Sequence, residues 1–174
     1  MFDMTNKRGE DELKAALDSG ADLNSMNFSG LSLNGVDFSG KRMTGCSFAG
    51  GHFIGCKFTG TRIRMSFFDF AFFSHCIFEK ADIQFSCFAG SVFEHTDFIN
   101  VELLLNSFTG ITARDCRFND SDLYGSRFIH GNLHNTSFYN CNIKKTYFTK
   151  NDYCAVSFKS SNTREAYFDT QEFL

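Results

Sequence analysis

From Ala21 to the end of the chain the sequence repeats every five residues without an insertion. When residues whose numbers end in 3 or 8 are taken as pentad centres, 30 of the 31 centres from Leu23 to Phe173 are apolar or aromatic, Thr163 being the exception. Every centre ending in 8, from Phe28 to Phe168, is phenylalanine, which explains most of the 24 Phe among 174 residues. Two residues before the centre sits Ala, Gly, Ser, Thr, Cys or Val in 24 of the 31 pentads. A period of five is neither the period of about 3.6 of an amphipathic helix nor that of about 2 of a half-buried strand.

A bulky and a small residue at this separation both point inward if each pentad forms one short side and one turn. Four sides then close a coil of about 20 residues, and coils stacked at ~4.8 Å pair through their backbones, so that residues 20 apart lie over one another. Residues 21–173 make about 7.6 such coils, a rod roughly 37 Å long. Two opposite columns are entirely Phe, Phe28 to Phe168 and Phe38 to Phe158. Between them runs an aliphatic ladder, Leu23, Met43, Ile63, Ile83, Leu103, Leu123 and Ile143, and the fourth column is mixed. Gly at positions 30, 35, 40, 45, 50, 55 and 60 suits turns of positive φ. Proline, which would remove a ladder donor, is absent.

The pentads Ala21-Asp22-Leu23-Asn24-Ser25, Val36-Asp37-Phe38-Ser39-Gly40 and Ser121-Asp122-Leu123-Tyr124-Gly125 resemble those of the pentapeptide-repeat proteins, and the resemblance extends over residues 21–173. It implies an all-β fold, a right-handed quadrilateral parallel β-helix spanning residues 21–174. Residues 1–20 form the remaining N-terminal segment, in which residues 10–20 read as a short capping helix. Its apolar face is Leu13, Ala16 and Leu17, its first turn is acidic, and Gly20 closes it. At the other end the repeat runs to Phe173, so Phe168 and Phe173 are expected to lie at an uncapped coil. Such an end is covered by a second copy or by further chain. The family resemblance, whose members include dimers through this end, favours a homodimer.

The formal net charge of −3 excludes the strongly basic surface of a nucleic-acid or anionic-membrane binder, so neither direct nucleic-acid nor membrane binding is expected. Residues 1–12 lack the apolar stretch of a secretory signal, and no run of about 18 apolar residues occurs. Seven Cys without a C-x-x-C pair argue against a disulfide framework or a zinc site and point to reduced thiols. A cytoplasmic protein, or an effector exported without a cleavable signal, is expected, with bacterial origin implied. Cys46, Cys56, Cys76, Cys116 and Cys141 fall at the small inward position, whereas Cys87 and Cys154 point outward.

No motif for acyl transfer, metal hydrolysis, phosphate or dinucleotide binding occurs, so no catalytic residue, metal or cofactor is expected. His75, His95 and Asp115 share one corner column, but a flat, solvated column does not converge on an ion. Asp82, Glu102 and Asp122 form an acidic ladder on the aliphatic side. The family resemblance, which includes DNA-mimicking proteins that bind topoisomerases, makes DNA gyrase an alternative partner, with protection against fluoroquinolones as the consequence. Against this, Arg62 precedes the ladder and Lys144 and Lys145 follow it.

Outward-facing apolar residues are the stronger signal. Met65, Phe67, Phe70, Phe72, Phe85, Leu104, Leu105 and Tyr124 cluster in neighbouring coils, with Met65, Phe85 and Leu105 in one column. A contiguous exposed apolar patch marks a binding surface. A rigid, non-enzymatic scaffold for a protein partner is therefore the expected role.

Overall fold

A computed structural model of the chain describes residues 7–170 and Phe173. Residues 1–6 of the expected N-terminal segment, and Leu174, lie outside the described residues. The chain winds as a parallel β-solenoid in which each step of 20 residues advances one coil, as in Ser32↔His52 and Phe53↔Phe73. Three-residue strands from Ser32–Asn34 to Asp152–Cys154 stack into a seven-stranded sheet on one side. Arg42–Thr44, Arg62–Arg64, Asp82–Gln84 and Glu102–Leu104 form another side. A third begins as single bridges, Ser47↔Phe67 and Cys87↔Ser107, and becomes regular strand at Arg127–Ile129, Tyr147–Thr149 and Tyr167–Phe168. The fourth is bridged through Asp37↔Lys57 and Ile77↔Asp97.

The centres fill the coil. Phe58, Phe78, Phe98 and Phe118 stack face to face with centroids 4.4 to 4.7 Å apart, and Phe68, Phe88 and Phe108 at 4.9 to 5.0 Å. The mixed column adds Phe53, Phe73 and Phe93 at 4.7 and 5.0 Å and meets its neighbours edge-on, as Phe73 meets Phe78 at 5.7 Å. Offset stacks within a column and edge-to-face contacts between columns are the two arrangements that the ring quadrupole favours. The aliphatic ladder is equally buried through Ile143. At Thr163, the one polar centre, a 3₁₀ turn over Thr163–Glu165 replaces the regular side.

The small inward residues do more than leave room for rings. Ser66 donates its hydroxyl to the Met43 carbonyl at 3.2 Å and accepts the Cys46 amide at 3.1 Å. Ser126 repeats this with Leu103 and Asn106, and Asn106 with Ile83 and Ser86. Each such side chain adds a donor to a carbonyl of the preceding coil and accepts an amide, as of Cys46 and Ser86, that the strand ladder leaves unpaired. Cysteine fits the same position because its thiol still donates: Cys56, Cys76 and Cys116 reach the Leu33, Phe53 and Phe93 carbonyls at 3.4–3.5 Å.

The N-terminal helix forms over Glu10–Asp18, with Glu12 accepting the Gly9 amide at 2.9 Å in a capping-box contact. Leu13 is fully buried, and Ala16 and Leu17 pack against the same core. Gly20 lies just past the last turn at φ +76°, the left-handed conformation that ends a helix. Lys41 then donates to the Leu17 carbonyl at 3.0 Å, fixing the helix to the second coil.

Candidate protein-binding surface

The corners between pentads set the geometry of the surface. From residue 25 to residue 160 the corner positions, numbered in fives, adopt positive φ, first mostly at glycine and later at 17 further non-glycine residues after Ser25. Asn, Asp and Gly accept this conformation readily, whereas a bulky side chain there costs roughly 1–2 kcal/mol. Met65, Phe70, Phe85 and Leu105 occupy such corners at φ 48°, 56°, 53° and 57°. They are also 46–76% exposed, so burial does not offset the strain.

Met65, Phe85 and Leu105 run along one corner and Phe70 stands at the next, where it is 76% exposed. The side between these corners carries Phe67 at one end and then a floor of Cys87, Ala89, Ser107 and Thr109. The Phe70 ring lies over Gly90 and the Leu105 side chain over Gly125, so close that a Cβ at either glycine would meet them at 2.6 Å. The remaining residues of the expected patch lie on its flanks. Leu104 and Tyr124 are half-buried on the aliphatic side, and Phe72 is half-buried on the seven-stranded side, 5.9 Å from the His52 ring.

Further along the same side the chemistry changes. Arg127 lies over the Tyr147 ring at 5.9 Å, Tyr147 stacks on Tyr167 at 4.4 Å, and the Lys145 ammonium sits 5.5 Å from the Tyr124 centroid. Tyr147 and Tyr167 are exposed aromatics outside the expected patch. They precede a Phe centre and read as ordinary turn-side residues until the 20-residue column Arg127, Tyr147, Tyr167 is followed.

The acidic ladder stacks in register, Asp82 beside Glu102 and Glu102 beside Asp122. Its first member is neutralised: Asp82 is bonded to the Arg64 guanidinium and lies 3.5 Å from Arg62. Asp122 accepts from Asn142 at 3.0 Å. With Lys80 and Asp120, the three acids line a surface hollow of about 300 Å³. A second hollow, about 290 Å³, lies on the seven-stranded side between Thr112 and Cys154, with Arg114, His134, Asp152 and Tyr153 in its lining.

His75 and His95 are neighbours, with rings 4.9 Å apart, and His95 lies 3.8 Å from Asp115. Among the described residues no group of three His, Cys, Asp or Glu is arranged to hold a metal ion. No described helix is long and apolar enough to cross a membrane. Phe168 and Phe173 are half-buried and cover one another at 5.5 Å, with Phe173 also edge-on to Phe158 and Tyr153.

All seven cysteines are free thiols. Burial pushes the Cys116 thiol up to about 12 and the Cys141 thiol up to about 11, and raises Cys46 as well. The outward Cys87 is also raised, first by partial burial and then by the Asp69 carboxylate, to which its sulfur donates at 2.7 Å. Cys154 is exposed. Native protein treated with iodoacetamide at mildly alkaline pH is therefore expected to be alkylated first at Cys154, with the five inward thiols labelled only after denaturation. Mass mapping that finds Cys116 labelled in the native state would refute the inward assignment.

Two models of one family match the chain: one described as pentapeptide repeats, over residues 27–64, and one described as a pentapeptide repeat region, over residues 91–168. The matches lie in the uninterrupted five-residue register that builds every side of the coil. The chain is a pentapeptide-repeat protein. Among solved structures it is similar to QnrB1, described as a plasmid-mediated fluoroquinolone resistance protein, with a TM-score of 0.69 at 14% identity over 87% of this chain and 84% of that one. It is also similar to HetL of the cyanobacterium Nostoc, a pentapeptide repeat protein involved in heterocyst differentiation regulation, with a TM-score of 0.58 at 10% identity over 96% of this chain and 100% of that one. At these identities the likeness is one of fold. A search of curated proteins finds no match.

Proposed function

We propose that this pentapeptide-repeat protein is a non-enzymatic rod that binds a protein partner through the apolar corner around Met65, Phe70, Phe85 and Leu105. The observation that carries the reading is the placement of four bulky apolar side chains at left-handed corners, where they are strained and exposed at once. Folding alone gains nothing from a bulky apolar side chain at these positions; strain retained at the surface is accounted for by what the surface contacts. The interior supports a scaffold rather than an enzyme, because stacked rings fill it along the coils.

A DNA-mimicking role against gyrase, suggested by the fluoroquinolone-resistance description of QnrB1, has weaker support. Its acidic ladder opens with Asp82 held between two arginines.

Affinity capture with the wild-type protein, set beside a Phe85→Asp, Leu105→Asp double variant, tests the reading. Partner binding is expected to fall at least ~100-fold in the variant, as for loss of a hot spot, with an unchanged thermal melt. Equal capture by a folded variant refutes the patch. Supercoiling by DNA gyrase in the presence of the wild-type protein is expected to proceed unaltered, and inhibition would transfer the function to Glu102 and Asp122.

A further inference from the structure

We propose that the partner segment is an extended, acidic stretch of protein, with apolar side chains at one end and carboxylates at the other. This inference rests on the protein-binding reading above and adds the chemistry and polarity of what is bound.

The Phe28-to-Phe168 side and its two corners form one continuous face. In the coils containing Met65, Phe85 and Leu105 its prominent groups are apolar. In the next two coils they are Arg127, His130, Lys145 and Lys150, all exposed. The acids of this face lie at its two ends: Asp69, in the coil of Met65, accepts from the Cys87 thiol, and Glu165 and Asp169, past Lys150, are bonded to Lys144 and to the Lys150 amide. Between them, from Phe85 to Lys150, neither the outward positions nor the corners carry an Asp or Glu, in a chain whose formal net charge is −3. The acids of these coils lie on other sides, Glu102 and Asp122 on the adjacent one.

The cations are also held ready. Arg127 and Lys145 rest on the Tyr147 and Tyr124 rings. Among the described residues, the ion pairs on neighbouring coils join Lys144 to Glu165 and Arg117 to Asp97, and none joins Arg127, Lys145 or Lys150 to a carboxylate. Aromatic support fixes a guanidinium or ammonium in place without neutralising it. From the coil of Met65 to that of Lys145 is four coil steps, about 19 Å, the length of about six residues of extended chain.

Geometry favours a peptide over other anionic or apolar partners. The apolar and cationic zones follow one another along the rod axis, which matches a linear order of side chains; a membrane surface would instead be met by apolar tips ringed with cations. Between the two corners the side chains of Cys87, Ala89, Ser107 and Thr109 are small and half-buried, which leaves room for an extended chain to lie along the side. Nucleic-acid bases need open ring faces, and those of Tyr147 are covered by Arg127 and Tyr167.

The test is selection from a phage-displayed library of random dodecamer peptides on the immobilised full chain, followed by affinity measurement of the enriched peptides by fluorescence anisotropy. Enriched sequences are expected to hold an apolar block and an Asp/Glu block in one consistent order. Their affinity should fall at least ~tenfold in an Arg127→Glu, Lys145→Glu, Lys150→Glu variant, and it should weaken as salt is raised. Circular dichroism melts of the variants establish that they are folded. Enriched peptides that are apolar without acids, and that bind the charge-reversed variant equally well, would overturn the inference while leaving the protein-binding reading in place. Failure to enrich any family of peptides would overturn both. Sedimentation with phosphatidylserine-containing vesicles, abolished by the same charge reversals, would assign the face to a lipid surface and overturn the inference.

Discussion

Phe88→Ala is expected to lower the unfolding free energy by ~3–5 kcal/mol, whereas Phe85→Gly, three residues away, should change it by no more than about 1 kcal/mol. Phe88 is fully buried, stacked between Phe68 at 4.9 Å and Phe108 at 5.0 Å and edged by Phe93. Truncation removes a ring from the middle of a column whose neighbours are tied into separate coils and cannot close the gap. Phe85 is largely exposed at a left-handed corner, so glycine removes backbone strain while adding freedom to the unfolded chain, and the two effects nearly cancel. Guanidinium unfolding curves compared at equal slope provide the measurement. A cost below about 1 kcal/mol at Phe88 would contradict the column packing, while a cost above about 2 at Phe85 would give that ring a structural role.

Asn106→Leu is expected to cost about 2–5 kcal/mol although it adds apolar volume to the core. Asn106 is 2% exposed. Its carbonyl oxygen accepts the Ser86 amide at 2.8 Å and its amide nitrogen donates to the Ile83 carbonyl at 2.8 Å. Leucine leaves the Ser86 amide buried without a partner, removes the side-chain bond to the Ile83 carbonyl, which then keeps only its strand-ladder donor, and overfills a site shaped for an amide. Asn106→Ser is the matched control, because Ser126 makes the same kind of pair of bonds one coil on. The same unfolding measurement decides it: a leucine variant as stable as wild type would show that size alone matters at this position.

The repeat was readable because it recurs. The Phe columns, the 20-residue register and the capping helix follow from counting in fives, and the stacks at Phe58, Phe78 and Phe98 lie where the count puts them. Three features were hidden for physical reasons. Serine, threonine, alanine and cysteine are alike in size, so the small position revealed its volume and not its hydrogen bonds. The corner conformation is announced by glycine up to Gly60 and then continues at Met65 and Phe70, where the residue type argues against it. The neutralisation of Asp82 depends on Arg64, a residue 18 positions earlier that shares neither its column nor its pentad.

The direction of the small-position hydrogen bonds bears on how the rod is made. Ser66 reaches back to Met43 and Cys46, Ser126 to Leu103 and Asn106, and Ser121 to Phe98 and Val101. In these three the partners lie in the preceding coil, so each coil is completed by the one synthesised after it. A ribosome thus delivers the groups in the order in which they are used, and the Glu10–Asp18 helix, which emerges before the first coil, supplies a surface on which that coil closes. The finished rod is therefore directional: at any length its last coil is the unfinished one, and each added coil seals the one before it.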